Sequence, residues 1–156
     1  MKILYHCFGG SHSSVLAASL HLGLISKERL PTMQEMMALP YFDKTSQKDF
    51  GSIRFMGVDE GGNEVYVLGK KSLGDRYNRI FKGVAALLGK PDEIVPVDCM
   101  SRVNISMKLG GFASRRVGWV RLGRPVLGQG TRKAFLNLVN LVEITRVQVM
   151  NKLQVN

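Results

Sequence analysis

Lys2-Ile3-Leu4-Tyr5-His6-Cys7-Phe8-Gly9-Gly10-Ser11-His12-Ser13-Ser14-Val15-Leu16-Ala17-Ala18-Ser19 opens the chain and decides how the rest is read. A short apolar run suited to a buried strand passes straight into a cysteine, two glycines and a cluster of hydroxyls. An Ala-rich run of helical character follows. A strand, a tight loop and a helix in that order let the loop's backbone N–H groups converge on one anion. Gly9 and Gly10 permit the positive-φ turns such a loop requires. Ser13 or Ser14 is placed to cap the helix, whose positive dipole end faces the loop. Cys7 stands at the mouth, where the same field favours a thiolate. The expected cradle is Gly9, Gly10, Ser11, Ser13 and Ser14, with Cys7 as nucleophile or ligand contact. His12 is read as a loop residue able to bond an anion or move a proton.

Outward from this loop the chain alternates strands and helices. Residues 2–6 read as a strand and 14–22 as a helix closed by Gly23. A helix begins at Pro31 and stops before Pro40, and 41–51 is polar loop. Residues 52–58 and 64–68 are β-rich and flank Asp59-Glu60-Gly61-Gly62-Asn63, a hairpin turn. Residues 72–88 have helical periodicity, with Leu73, Tyr77, Ile80, Phe81, Val84 and Leu88 on one face. A strand over 93–97 ends at Asp98-Cys99. A helix over 104–114, a strand near 118–121 or 125–127 and a long helix from Thr131 complete the reading. The β-branched Ile144, Thr145, Val147 and Val149 leave the end of that last helix open.

This alternation predicts one three-layer α/β domain over residues 1–156. Its sheet is mostly parallel, with helices on both faces and one antiparallel hairpin. Ligands in such sheets bind beyond the carboxyl ends of the strands, near a topological switch point. The Cys7 loop lies at one such end, with Asp98-Cys99 and Gly128-Gln129-Gly130-Thr131-Arg132 expected at two others. The second Gly-rich segment places Arg132 and Lys133 in the first turn of a helix. Cations there oppose the dipole by a few tenths of a kcal/mol unless an anion is near. Arg132 is thus the candidate positive group for the Cys7 loop, against the alternative that both cations reach solvent.

Composition bounds the function. The 156 residues are 45% hydrophobic and 22% charged, as in globular proteins generally. No apolar run approaches the roughly 18 residues of a membrane span, and the opening apolar stretch is too short for a signal peptide. No membrane partner is expected. Two cysteines, Cys7 and Cys99, are too few for a disulfide framework and suit a reducing, cytoplasmic setting, with a regulatory bridge between them as the rarer alternative. The net charge of +10 is uneven: residues 1–100 hold 12 Lys/Arg against 11 Asp/Glu, residues 101–156 hold 10 against Glu143 alone. Such a patch attracts phosphates, nucleic acid or acidic partners, or is simply a solvated face. The aromatics there, Phe112, Trp119 and Phe135, form no nucleic-acid motif. His6, His12 and His21 invite a metal reading. However, His6 and Cys7 face opposite sides of a strand, and Cys7 with His12 supplies only two ligands. No metal or cofactor is expected. Asp43 and Asp59 are read first as turn formers, and Met33, Met36 and Met37 as helix packing.

Three resemblances sharpen these expectations. Cys7-Phe8-Gly9-Gly10-Ser11-His12-Ser13-Ser14 resembles the phosphate loop of low-molecular-weight protein tyrosine phosphatases and arsenate reductases. Cys7 matches their nucleophile, Gly9 the loop glycine and Ser14 the serine that hydrogen-bonds the thiolate. Their arginine position falls on Ser13, which cannot supply the bidentate contacts of a guanidinium. Their acid loop carries Asp-Pro-Tyr, whereas Leu39-Pro40-Tyr41-Phe42-Asp43 places the aspartate after the tyrosine, so that role is not carried over. The loop also resembles the Cys-x-x-Gly-x-x-Thr/Ser-Ser pattern of phosphotransferase-system IIB components, through Cys7, Gly10, Ser13 and Ser14. That resemblance implies a transient phosphoryl group on Cys7. Over nearly the whole chain, Tyr5 to Ser14, Leu39 to Asp43, Phe55-Met56-Gly57-Val58-Asp59-Glu60 and Gly130-Thr131-Arg132-Lys133-Ala134-Phe135 resemble a domain-of-unknown-function family of small proteins from spore-forming Gram-positive bacteria. That resemblance implies no activity. The expected ligand is a phosphate-containing small molecule or phosphoprotein; the alternative is a regulatory protein binding nucleic acid or an acidic partner through residues 101–156.

Overall fold

A computed structural model describes residues 1–74, 76–100 and 124–155. Strand β1 (Lys2–Cys7) is buried at every residue after its first. Its near-continuous apolar run requires this, because a strand covered on both faces has no solvent side. The strands β2 (Arg54–Val58), β3 (Glu64–Gly69) and β4 (Ile94–Asp98) complete a sheet of order β2-β3-β1-β4 among the described residues. β3 and β4 flank β1 in parallel, with Tyr5 opposite Val67 on one side and Val97 on the other. β2 pairs antiparallel with β3 through the expected hairpin. Pro96 lacks an N–H, which suits β4 to the outer position it occupies in that order.

Helices cover both faces. Ile3, Tyr5 and Cys7 point into the main core, under helix α1 (Ser13–His21). All nine residues of α1 are buried, and its small Ala17, Ala18 and Ser19 let it lie close to the sheet. A second helix, α2 (Met33–Ala38), starts two residues later than Pro31 suggests. Thr32 is its cap, in a reciprocal capping box with Glu35. Met36 is its buried residue, while Met33 and Met37 are exposed. On the opposite face His6 meets Tyr77 and Asn78 of helix α3 (Arg76–Leu87). The mixed α/β architecture expected from the alternation is the one found.

Two elements differ from expectation. Helix α4 begins at Arg124 and runs to Val155, so residues 125–127 are helical rather than extended and Gly128 to Thr131 is no turn. Pro125 occupies a first-turn position, where a missing N–H costs nothing. The later β-branched residues do not end the helix, because Val142, Thr145 and Val149 are buried. α4 packs along α1, and burial of each large apolar side chain, at about 1.5–3 kcal/mol, exceeds a propensity penalty of a few tenths. The Thr145 hydroxyl is satisfied by the Leu141 carbonyl at 2.8 Å. In α3 the face toward the sheet is Tyr77, Asn78, Phe81 and Ala85; Leu73, just before the helix, Ile80 and Val84 within it and Leu88, just past its end, are exposed. The polar 41–51 segment contains one 3-10 turn, Gln47–Asp49. The helix expected over 104–114, the strand at 118–121 and the aromatics Phe112 and Trp119 lie outside the described residues.

Candidate functional site

The chain leaves β1 over one face through α1 to reach β3, then crosses β1 on the other face through α3 to reach β4. The strand order reverses at β1, so the switch point lies beyond β1 and β4, and the Cys7 loop borders it. Gly10 has φ +69°, and a Cβ there would lie 2.4 Å from the Gly69 backbone nitrogen. A Cβ on Gly69 would lie 2.7 Å from the Gly9 carbonyl oxygen. Only glycines allow the loop to seat this closely on β3.

The carbonyls of Cys7, Phe8, Gly10, Ser11 and His12 are each tied down. The carbonyls of Cys7 and Phe8 accept from the N–H groups of Lys70 and Lys71, each at 2.9 Å. Gly10 O accepts from the Arg54 guanidinium at 2.6 Å, and Ser11 O from the Asp43 N–H at 3.1 Å. His12 O accepts the first helical bond of α1, from Leu16 N–H at 2.8 Å. The Gly10 N–H turns inward to Cys7, whereas the Phe8 N–H donates to Met100 Sδ at 3.0 Å.

Cys7 lies at the base of this ring and is 5% exposed. Its Sγ accepts from the Gly10 N–H at 3.1 Å and lies 3.2 Å from Ser14 Oγ, in the first turn of α1. Ser11 and Ser13 are buried beside it. The helix cap is His12, without a side-chain cap bond. Neither Ser13 nor Ser14 takes the capping role expected of them, and the Ser14 hydroxyl faces sulfur instead. The His12 ring packs edge-on against Phe42 at 5.4 Å, and its Nε2 lies 3.3 Å from Asp43 Oδ1. Tyr41 and Asp43 both adopt positive φ, +60° and +53°. That conformation is disfavoured for L-residues, and it folds the 41–43 turn over the loop. Arg54 spans the two, lying 4.7 Å from the Tyr41 ring centre and bonding Thr45 Oγ1 at 3.1 Å.

The strand ends beside the loop carry a buried ion pair, Lys70 Nζ with Asp98. Lys70 also donates to Gly74 O at 3.3 Å, and Asp98 accepts from Met100 N–H at 2.8 Å. Such a pair contributes geometry more than net stability. Cys99 follows at the end of β4, without exposed surface. Burial, and then the nearby charge of Cys7, push its thiol well above the ordinary range.

Arg132 stands exposed on α4, more than two turns beyond the start of that helix, so the first-turn dipole argument for it falls. Among the described residues the guanidinium that contacts the loop is Arg54, and it holds the Gly10 carbonyl. Arg54, Lys70 and Asp43 come from three other elements; no spacing around Cys7 signals them, and only the parallel topology could have pointed to the end of β3. His21 is buried at the far end of α1, between Tyr5 and Asp59. Among the described residues no three of His, Cys, Asp and Glu gather in a way that could hold a metal, and no helix is long and apolar enough to cross a membrane.

The profile of one protein family, Protein of unknown function (DUF3189), matches residues 2–147. The chain belongs to that family. The match takes in the Cys7 loop, the Asp43 turn, Arg54 and the Lys70–Asp98 pair, so the whole site lies within the DUF3189 domain. No curated protein and no solved structure shows a significant match to the chain.

Proposed function

We propose that the loop from Cys7 to Ser14 binds a phosphate-like anion or phospho-ligand and passes a phosphoryl group through Cys7. One observation carries this reading: Cys7 Sγ sits 3.1 Å from the Gly10 N–H donor and 3.2 Å from Ser14 Oγ, inside a loop whose Cys7, Phe8, Gly10 and Ser11 carbonyls are bonded to other segments. The N–H, the hydroxyl and the N-terminal end of α1 are groups that can hold a bound phosphate. Gly9, Gly10, Ser11, Ser13 and Ser14 would hold the phosphoryl oxygens. In the step itself the Cys7 thiolate attacks phosphorus, forming an S–P bond as the P–O bond to the leaving group breaks. His12, oriented by Asp43, gives the departing oxygen its proton. Water or an acceptor hydroxyl then attacks phosphorus and frees the thiolate. Two free cysteines suit a reducing compartment such as the cytoplasm.

The test is the alkylation rate of Cys7 in a Cys99→Ser background at graded inorganic phosphate and constant ionic strength. Phosphate is expected to slow alkylation at least about 5-fold at saturation, the occupied loop screening the sulfur. An unchanged rate overturns the reading. The charge of residues 101–156, 10 Lys/Arg against Glu143, supports a second reading: a regulatory protein gripping nucleic acid or an acidic partner. Binding of that kind weakens steeply with salt, whereas a single buried phosphate responds little.

A further inference from the structure

The parallel ladder of β1 and β4 pairs Tyr5 with Val97 and His6 with Asp98. It continues one residue further, since the Cys99 N–H donates to the His6 carbonyl at 2.9 Å. The next residues side by side are therefore Cys7 and Cys99. Alternation along each strand sends Ile3, Tyr5 and Cys7 to the same face as Val95, Val97 and Cys99. Both cysteines accordingly sit in one core cluster. Neighbouring strands lie about 4.8 Å apart, within the roughly 4.4–6.8 Å Cα spacing that a disulfide spans. Both thiols are free. Phosphoryl transfer makes no use of Cys99, so a buried thiol at this position has no part in the reaction.

We propose that Cys7 and Cys99 form a thiol–disulfide pair, in which a hydroperoxide oxidises Cys7 and Cys99 resolves it. The inference rests on the anion-loop reading only for what the bridge would switch off. The Cys7 thiolate attacks one peroxide oxygen; an S–O bond forms, the O–O bond breaks, and the released hydroxide leaves as water once protonated. The Cys99 sulfur then attacks Cys7 Sγ and gives its proton to the departing hydroxyl, so an S–S bond forms and a second water leaves. The two thiols supply the two electrons that reduce one peroxide, and a small dithiol reverses the exchange. Cys99 is protected from direct attack by its burial and its protonated state. Bridged to β4, the sulfur of Cys7 is no longer a nucleophile.

The experiment treats the full chain with hydrogen peroxide, alkylates it under denaturing conditions and reads intact and peptide masses. A loss of about 2 Da, a linked Cys7–Cys99 peptide and full reversal by dithiothreitol are expected. In Cys99→Ser the same treatment should drive Cys7 to irreversible gains of about 32 and 48 Da. Wild-type protein that gains oxygen on Cys7 while Cys99 stays fully alkylatable overturns the pair, and needs no variant to show it. The phosphate test fails separately: a bridge without phosphate protection sinks the anion loop alone, and protection without a bridge sinks the pair alone.

Discussion

Helix α1 carries a histidine at each end, and each meets an aspartate from later in the chain. His12 lies 3.3 Å from Asp43 and His21 lies 3.0 Å from Asp59. The first pair is open, its side chains 36% and 35% exposed; the second is closed, at 1% and 13%. In the closed pair both ring nitrogens are used, since Tyr5 OH lies 2.8 Å from Nδ1. Burial lowers the proton affinity of His21. Burial pushes the Asp59 carboxyl up, but hydrogen bonds from His21 and Asn63 outweigh it and hold the group below its ordinary range. A neutral ring between a carboxylate and a phenol has its proton on Nε2 and accepts the Tyr5 hydroxyl at Nδ1. That arrangement spends the residue on structure. His12 has the same partner type but an open side and a place on the rim of the sulfur site. Burial and partner count separate the two histidines, and residue identity does not.

Removal of the closed carboxylate should have the largest effect. Asp59→Ala strands His21 and frees the Gly61 and Asn63 N–H groups bonded at 2.9 and 2.8 Å. The expected loss is about 3 kcal/mol in urea unfolding, whereas His12→Ala should stay within about 0.5 kcal/mol. Equal losses would erase the contrast.

Acid should separate the pairs next. His21 binds its proton more weakly folded than unfolded, so its contribution is complete above about pH 6.5 and is lost as pH falls below that value. Asp59 adds a further loss only below about pH 4, the unfolded carboxyl value. The urea midpoint of the wild type should therefore fall between pH 6.5 and 5, and that fall should vanish in His21→Gln. A flat wild-type profile would mean that His21 is not held neutral.

The smallest change in stability belongs to His12→Gln, and there the readout is chemistry. Hydrolysis of an activated phosphate ester should slow by about 100-fold, while phosphate protection of Cys7 persists. Unchanged turnover would leave the open pair without a proton-transfer role.

The central strand, the loop and its serine were legible because they are contiguous: Cys7 and Ser14 are seven residues apart and meet across one turn. The parallel sheet was legible from alternation, and the hairpin from Asp59 to Asn63 from its glycines. Arg54, Lys70 and Asp43 were not, because each reaches the loop through tertiary contact from a different element. Arg132 misled for a related reason. Its Gly-rich approach has the local chemistry of a turn, but helical structure from Arg124 overrides it. The apolar stripe of 72–88 shows that periodicity fixes a helix without fixing which of its residues meets the sheet.

The strand order has a consequence for synthesis on the ribosome. β1 emerges first, yet its neighbours begin at Glu64 and Ile94, so neither edge can be paired until most of the described sheet has been translated. At about 5–20 residues per second, roughly 3 to 12 seconds pass before β3 can pair with β1, and one edge of β1, beside Cys7, stays open for a few seconds more until β4 follows. A cell that makes this protein must keep that segment from aggregation and premature oxidation until Asp98 arrives.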